Sequence, residues 1–295
     1  MIVKVVLALI VVVNAVFALT FIKDLIAHKE EAKAEPGNPV AQAVSAFVIF
    51  FFSTLGISDF AISASVYPKL KWVDDKKLPG TMNAQCVIPV AVMALVYISA
   101  IKVSFVTLVV AILTQVAGAY LSPRYVVKLP VKTIKRFVAA GLFIAAILIL
   151  AGKFGLYPSG GEEIGLTGIK LVTLGILSFV YGALNNIGIG SYALTMATVY
   201  ALGLSPAIAF PIMMGACTFS VPVGSIQFIK LDSYSRKITA FAATFGVAGV
   251  LIAAYAVKSM NVSALQWIVV VVILYSAVTT FMSTTKDQTV AKETE

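Results

Sequence analysis

The stretch NNIGIGSYALTMATVYALGLSP, residues 185–206, lies in the longest uncharged run of the chain, residues 171–229. A helix that simply crosses a membrane gains nothing from two adjacent asparagines and two closely spaced glycines, because these residues favour turns and expose the backbone. A shorter stretch of the same character, GISDFA, occurs at residues 56–61. A fold for this chain must therefore explain why so apolar a sequence interrupts itself twice.

The composition is typical of a membrane protein. Of 295 residues, 60% are hydrophobic and 12% are charged, and the charged fraction is about half of that usual in soluble domains. Most of the uncharged runs approach or exceed the roughly 20 residues that cross a bilayer as a helix. They span residues 5–22, 78–101, 103–123, 137–152, 171–229, 238–257 and 259–285. We therefore expect an all-α, polytopic membrane protein.

The chain also repeats itself. GISDFA at 56–61 matches GIGSYA at 188–193, an offset of 132 in residue number. Three further pairs follow in the same order, with offsets of 132 to 130: Pro79 with Pro211, Gly118 with Gly249, and residues 125–128 with residues 255–258. A shared order of matches is harder to obtain by chance than any single match, so the pattern predicts two homologous halves.

The repeat divides the chain into five parts. The N-terminal residues resemble a signal peptide, but their apolar core is long and no clear cleavage site follows, so an uncleaved first helix is the preferred interpretation. The parts are a first helix with a charged loop at 1–39, a first membrane repeat at 40–152, an outer loop at 153–164, a second repeat at 165–285, and a cytoplasmic tail at 286–295.

The lysines and arginines predict the topology. Each half is expected to begin with a broken helical hairpin and to continue with three transmembrane helices, which makes the two halves inverted. With the basic loop at 122–136 in the cytoplasm, this arrangement places 17 cationic residues inside and 5 outside. If each broken element crossed the membrane once, the count would be 11 on each side. The positive-inside rule favours the inverted arrangement, although two full crossings would give the same parity as a hairpin.

The two breaks are candidate binding sites for a small anion. Irregular backbone at membrane depth is tolerated where protein or water satisfies it, and a helix that begins there directs free N–H groups and its positive dipole end into that space. The candidate residues are Thr54, Gly56, Ser58, Asp59, Asn83 and Gln85 in the first half, and Asn185, Asn186, Gly188, Gly190 and Ser191 in the second. The alternative is that these small and polar residues only let helices pack closely.

Three further residues have two interpretations each. Asp59 is the one acidic residue expected at membrane depth, so it is a candidate for proton coupling; the alternative is an N-cap of a short helix beginning at Phe60. Cys86 and Cys217, nearly equivalent in the repeat, are candidate pocket thiols for a sulfur-containing substrate. Buried cysteines also serve as small apolar fillers.

These residues resemble a known family. LGISDFAISASVYPKL and GALNNIGIGSYALTMATVYALGLSP, with the later Pro211, are similar to the duplicated glycine-rich signature of the sulfite exporter TauE/SafE family. The resemblance covers about residues 40–285. It implies a carrier of sulfite, sulfonates or related organosulfur compounds in the bacterial cytoplasmic membrane. Ser58 and Asp59 depart from the pattern, since the family usually has glycines there.

The sequence thus predicts a secondary transporter for a small anion, with lipid and a coupling proton or ion as its other partners. An anion channel is the nearest alternative. An intramembrane enzyme is disfavoured, because the single histidine, His28, lies in a charged loop and no paired acids are found at membrane depth. No cofactor, metal site or nucleic-acid partner is expected. The oligomeric state, the anion and the direction of transport are left open.

Overall fold

The chain folds into a series of helices. The computed structural model describes residues 2–55, 57–97, 103–156 and 161–256, together with residues 274, 277, 278 and 281. Within these ranges the helices are α1 (Ile2–Ala27), α2 (Lys29–Ala34), α3 (Pro39–Thr54), α4 (Asp59–Val66), α5 (Leu78–Tyr97), α6 (Phe105–Leu121), α7 (Pro123–Val126), α8 (Val131–Lys153), α9 (Gly168–Asn185), α10 (Ser191–Ala201), α11 (Pro206–Lys230), α12 (Arg236–Phe241), a π-helical turn (Ala242–Gly246) and α13 (Val247–Ala256). The predicted tail, most of the run at 259–285, and Gly56 lie outside the described residues.

Seven helices of the described chain are long and apolar enough to cross a membrane. They are Val5–Ala27, Leu78–Val96, Phe105–Val126, Val131–Gly152, Gly168–Asn185, Pro211–Lys230 and Arg236–Tyr255. The prediction of an all-α, multi-pass membrane protein is therefore confirmed at this level. Helices α5 and α11 are the most enclosed of the seven, so they form the centre of the protein.

Two interrupted helices are each followed by a short one. Helix α3 ends before α4, which has 8 residues, and α9 ends before α10, which has 11 residues. At 1.5 Å per residue these short helices measure about 12 and about 16 Å, well below the roughly 30 Å apolar core of a bilayer. Gly188, between α9 and α10, has a φ of 107° that other residues rarely adopt. The breaks therefore lie where the glycine-containing stretches predict them.

Helix α10 is shorter than the uncharged stretch that contains it. The stretch continues beyond residue 204, whereas α10 stops at Ala201. Gly203 has a φ of 84°, and a left-handed glycine just after a helix is a common helix stop. The chain then turns at once into α11.

In each broken element, the short helix returns to the side of the molecule where the preceding long helix begins. Near the start of α9, Lys170 Nζ donates to the carbonyl of Leu202, at the end of α10, over 3.1 Å. In the first half, Gly37, just before α3, lies against Trp72, which follows α4. Both broken elements therefore have the form of a hairpin.

Helices from opposite halves pack against each other through glycines. A Cβ atom on Gly118 of α6 would lie 2.0 Å from the carbonyl oxygen of Phe179 in α9. A Cβ on Gly249 of α13 would lie 2.3 Å from the carbonyl oxygen of Phe47 in α3. The two glycines differ in number by 131 and the two phenylalanines by 132. The same close backbone approach thus occurs twice, at positions related by the offset of the sequence repeat.

One end of the molecule contains a cluster of charges, here called the Arg236 cluster. Its members are Asp24, Glu31, Glu35, Asp232, Tyr234, Arg236 and Lys237. The Arg236 side chain is 2% exposed; its Nε donates to Asp24 over 2.7 Å and its Nη2 to Asp232 over 2.8 Å. Burial raises the pKa of Tyr234, which therefore stays protonated as a donor to Asp24. The cluster fastens α1 to the start of α12.

The loops separate into two groups. Near the Arg236 cluster, Lys77 pairs with Asp232 at 4.0 Å, and Lys135 with Asp75 at 3.1 Å. Elsewhere, the Ser104 N–H donates to the Ile164 carbonyl over 2.8 Å, and the chain segments 103–107, 161–166 and 202–205 meet. The assignment of the first group of loops to the cytoplasm stays a prediction.

Candidate functional site

The first break is built around a serine cap. Ser58 precedes α4, and its Oγ accepts a hydrogen bond from the Ala61 N–H over 3.3 Å. Asp59 is the first residue of the helix. The interpretation of Asp59 as the cap of a helix beginning at Phe60 is therefore wrong: Ser58 caps the helix one position earlier, because its hydroxyl reaches the third N–H.

Asp59 is a buried acid with few partners. The residue is 3% exposed. Its Oδ1 accepts a hydrogen bond from Ser53 Oγ over 3.3 Å, and its Oδ2 has no hydrogen-bond partner among the described residues. A buried carboxylate without a countercharge is costly to maintain in its charged form. Asp59 therefore has the environment of a group that exchanges a proton or contacts a ligand.

The second break is held by a pair of asparagines. Asn185 Nδ2 donates to Asn83 Oδ1 over 2.8 Å, and Asn83 Nδ2 donates to the Asn185 carbonyl over 3.1 Å. The side-chain oxygen of Asn185 then accepts from the Ser191 N–H over 3.2 Å. Gly190, the N-cap residue of α10, offers no side-chain hydrogen bond. The start of α10 is thus capped by the side chain of Asn185 and not by that of its own N-cap residue.

The two breaks face each other. A Cβ atom on Gly190 would lie 3.2 Å from Ser58 Oγ and 3.5 Å from Phe60 Cβ. Gly190 and Ser58 are related by the same offset as GISDFA and GIGSYA, so equivalent positions of the two halves are in contact. The N-termini of α4 and α10 therefore converge on one place inside the protein.

A small cavity lies between these helix ends. The centre of a water-sized sphere can occupy about 10 Å³ within it. The cavity therefore has room for about one water molecule. The lining residues are Ser58, Asp59, Phe60, Cys86, Val90, Asn185, Gly190, Ser191, Tyr192, Cys217 and Val221. Ten of these eleven form five pairs: 58 with 190, 59 with 191 and 60 with 192, each 132 apart, and 86 with 217 and 90 with 221, each 131 apart. The cavity thus has nearly the same walls on both sides.

The two thiols line this cavity from α5 and α11. Cys86 and Cys217 are each 1% exposed. Cys86 Sγ donates to the Asn83 carbonyl over 3.2 Å. Cys217 Sγ lies 3.1 Å from Ser191 Oγ and accepts from Gln115 Nε2 over 3.5 Å. Both thiols therefore belong to the polar framework of the site, and Cys86 also lies beside the Asp59 carboxyl group.

Seven predicted site residues come together around the cavity: Ser58, Asp59, Cys86, Asn185, Gly190, Ser191 and Cys217. Asn83 supports Asn185 from just outside. Thr54 and Gly188 do not line it; the Thr54 hydroxyl donates to the Phe50 carbonyl instead. Gly56 is outside the described residues.

Two side-chain amides that were predicted to bind the ligand, those of Gln85 and Asn186, bridge helices instead. Gln85 accepts from the Tyr67 hydroxyl and donates through Nε2 to Ser63 Oγ over 2.6 Å, so it joins α5 to α4. Asn186 Nδ2 donates to the Ala119 carbonyl over 2.7 Å, and so joins α9 to α6. The expectation that these two side chains line the site is not met by the lining of the cavity.

Sequence reasoning missed four lining residues. Phe60 and Tyr192 follow Asp59 and Ser191 directly, and both are aromatic at equivalent positions of the repeat. The repeat could therefore have predicted that Phe60 and Tyr192 line the site. Val90 and Val221 also line the cavity, but in an apolar helix nothing local distinguishes such valines from their neighbours.

The lining offers two helix N-termini, hydroxyls, an amide, two thiols and one carboxyl group, and none of the described lining residues is cationic. It is suited to binding a small polar ligand by hydrogen bonds and helix dipoles. No protein-family model, curated protein or solved structure matches the chain.

Proposed function

We propose that this protein is a secondary transporter that moves a small anion across a membrane. The observation that carries the proposal is the cavity between two helix breaks, lined by equivalent residues of both halves. Secondary transporters with internal repeats bind substrate near the midplane between broken helices. The resemblance to the sulfite exporter TauE/SafE family favours sulfite, a sulfonate or a related organosulfur compound, and the bacterial cytoplasmic membrane as the location.

The proposal includes an inverted repeat. Its support is the reciprocal packing of Gly118 on Phe179 and of Gly249 on Phe47, with almost the same offset between all partners. The positions at which α3 and α9 begin also support an inverted repeat, because the two helices start at opposite ends of the molecule. Helix α3 begins near the Arg236 cluster, where Lys237 Nζ donates to the Gly37 carbonyl over 2.8 Å, whereas α9 begins beside the loops at the other end.

An anion fits the helix ends. Each N-terminus carries about half a positive elementary charge, and free N–H groups bind oxyanions directly. A proton on Asp59 would remove the like charge next to such a ligand, so proton and anion would travel together. The cavity holds about one water molecule and therefore corresponds to a closed state. Transport requires the hairpins or the helices around them to separate.

An anion channel is the alternative, and flux in liposomes distinguishes the two. Purified protein is reconstituted, and sulfite and methanesulfonate uptake are measured with and without a proton gradient. A coupled carrier accumulates the anion against its own gradient when protons flow inward, whereas a channel only equilibrates it.

Asp59→Asn tests the coupling in the same assay. We expect this variant to lose gradient-driven accumulation. The control is Asp75→Asn, which removes a carboxylate paired with Lys135 away from the cavity and should behave as wild type. Equal accumulation by Asp59→Asn and wild type would remove Asp59 from the coupling. Flux of neither anion by any variant would contradict the substrate assignment.

A further inference from the structure

One pair of lining residues is unequal in charge. Four of the five pairs of lining residues are uncharged in both members, whereas Asp59 is paired with Ser191. The first half thus carries an acid at the first position of α4, and the second half carries a hydroxyl at the first position of α10. Among the described lining residues, Asp59 is thus the one that can carry a negative charge at the start of a helix.

The charges of the helix ends and of Asp59 nearly balance. Two N-termini together contribute about one positive elementary charge, and an ionised Asp59 contributes one negative charge. The carboxyl group lies close to the N–H groups of Asp59 and Phe60 and to the Cys86 thiol. Its Oδ2 has no hydrogen-bond partner among the described residues, and the residue lines the cavity. An ionised Asp59 therefore neutralises the field that would otherwise attract an anion.

From this balance we infer that the Asp59 carboxylate is a tethered anion that competes with the transported anion for the two helix N-termini. The anion binds when Asp59 is protonated, and an ionised Asp59 excludes it. This inference rests on the proposed function and gives its coupling a physical cause: the two negative charges cannot share the site.

The surroundings of Asp59 contain few other groups that could produce such a pH dependence. Helix α3 contributes the Ser53 hydroxyl. Helix α8 packs against α4. Among its described side chains the buried residues are all without a titratable group: Ile134, Val138, Ala139, Gly141, Leu142 and Ala146. The titratable groups that face Asp59 are Cys86 of α5, Cys217 of α11, Tyr192 of α10 and Tyr67, which follows α4. Each of these is neutral when protonated, and thiols and phenols ordinarily have higher pKa values than carboxyl groups, so Asp59 is the first of these groups to ionise as the pH rises.

The test measures the affinity for methanesulfonate, which keeps one negative charge at every pH used, by titration calorimetry on the purified full chain. Wild type, Asp59→Asn and Asp59→Ser are compared from about pH 5 to about pH 9, because buried carboxyl groups titrate over this range. Asp59→Ser places the residue of the second half at the equivalent position, so it is suited to the local packing. Asp75→Asn is the control.

We expect the wild-type Kd to be constant at low pH and to rise about tenfold for each pH unit once Asp59 deprotonates. Both Asp59 variants should bind with the low-pH affinity of wild type at every pH, and Asp75→Asn should follow wild type. Ser191→Asp, which adds a second tethered carboxylate, should bind more weakly than wild type at high pH.

Two results overturn the inference separately. If wild type and both Asp59 variants share one pH dependence, or show none, the competition is wrong, while binding itself still supports an anion carrier. If no variant binds methanesulfonate or sulfite at any pH, the proposed function fails together with the inference. Thermal unfolding of each variant in detergent verifies that a loss of binding is not a loss of fold.

Discussion

Two buried charges in this protein are treated in opposite ways. Arg236 is bonded to Asp24 and Asp232, approached by Glu31 at 3.6 Å, and stacked over the Tyr234 ring at 5.5 Å. Asp59 receives one hydroxyl hydrogen bond on one of its two oxygens. Arg236 thus has several oppositely charged partners, whereas only one carboxyl oxygen of Asp59 accepts a hydrogen bond from the described residues.

The contrast separates structural charge from functional charge. Removing one partner from a buried, paired charge leaves the others uncompensated, so such a group is expected to contribute stability. A buried acid without a countercharge adds little stability and persists for another reason. The four predictions below test this distinction, from the largest expected change in the free energy of unfolding to the smallest.

Arg236→Ala should destabilise the protein by about 3 kcal/mol, the lower end for breaking a buried pair. Most of the loss arises at Asp24, which is 13% exposed, since Asp232 and Glu31 are more than half exposed and regain water. Thermal unfolding in detergent measures the change. Arg136→Ala, on the exposed start of α8, is the control, and an equal effect of both variants would contradict the structural assignment of Arg236.

Tyr67→Phe should cost about 2 kcal/mol, because the buried Oε1 of Gln85 loses its donor and has no access to water. Tyr192→Phe is the matched variant: the Tyr192 hydroxyl donates to Met214 Sδ over 3.8 Å, which is a weak bond. The two unfolding midpoints are compared in one detergent. If Tyr192→Phe were the more harmful change, the cavity wall would depend on that hydroxyl for stability.

Glu35→Gln should cost about 1 kcal/mol, the typical contribution of a charged helix cap. Glu35 accepts hydrogen bonds from the Arg236 and Lys237 N–H groups over 2.9 and 3.0 Å, and so caps α12 from a distant part of the chain. Glu30→Gln provides the comparison, since Glu30 forms an exposed pair with Lys33. An unfolding midpoint unchanged in both variants would remove the capping role.

Asp59→Asn should change the free energy of unfolding by less than about 1 kcal/mol in either direction, because the amide keeps the shape of the carboxyl group and none of the described lining residues is a cation that pairs with it. The same variant is expected to lose proton-driven transport. Measuring both properties on one preparation makes the comparison with Arg236 direct. A loss of stability as large as that of Arg236→Ala would mean that Asp59 is structural.

The two helix breaks could be predicted because glycine-containing stretches mark them locally. The contact between the two breaks could be predicted because the repeat relates their positions. Glycine and asparagine mark the interruption at 185–190 within an apolar run, and the offset of the repeat relates Ser58 to Gly190, which the fold brings together. Polar residues were less predictable because neighbouring residues on a helix point about 100° apart. Cys86 lines the cavity, so Gln85 faces α4; sequence alone does not give this rotation.

The Arg236 cluster was not predictable from the sequence. In the sequence its charges are isolated near span ends, and only its cations entered the prediction of topology. Arg236 and Asp24 are 212 residues apart, and no local pattern pairs them. Such contacts depend on where α1 lies against the rest of the fold, and that position is set by long-range packing.

The unequal pair in the cavity also bears on how such a site can arise. Two separate copies of one half, assembled as a symmetric dimer, would present each lining residue twice. A carboxylate at the first position of the short helix would then meet its own copy across a cavity that holds about one water molecule. Joining the halves in one chain removes this constraint, since Asp59 appears once and Ser191 occupies the equivalent position. Covalent fusion thus allows a nearly symmetric cavity to carry a single charge.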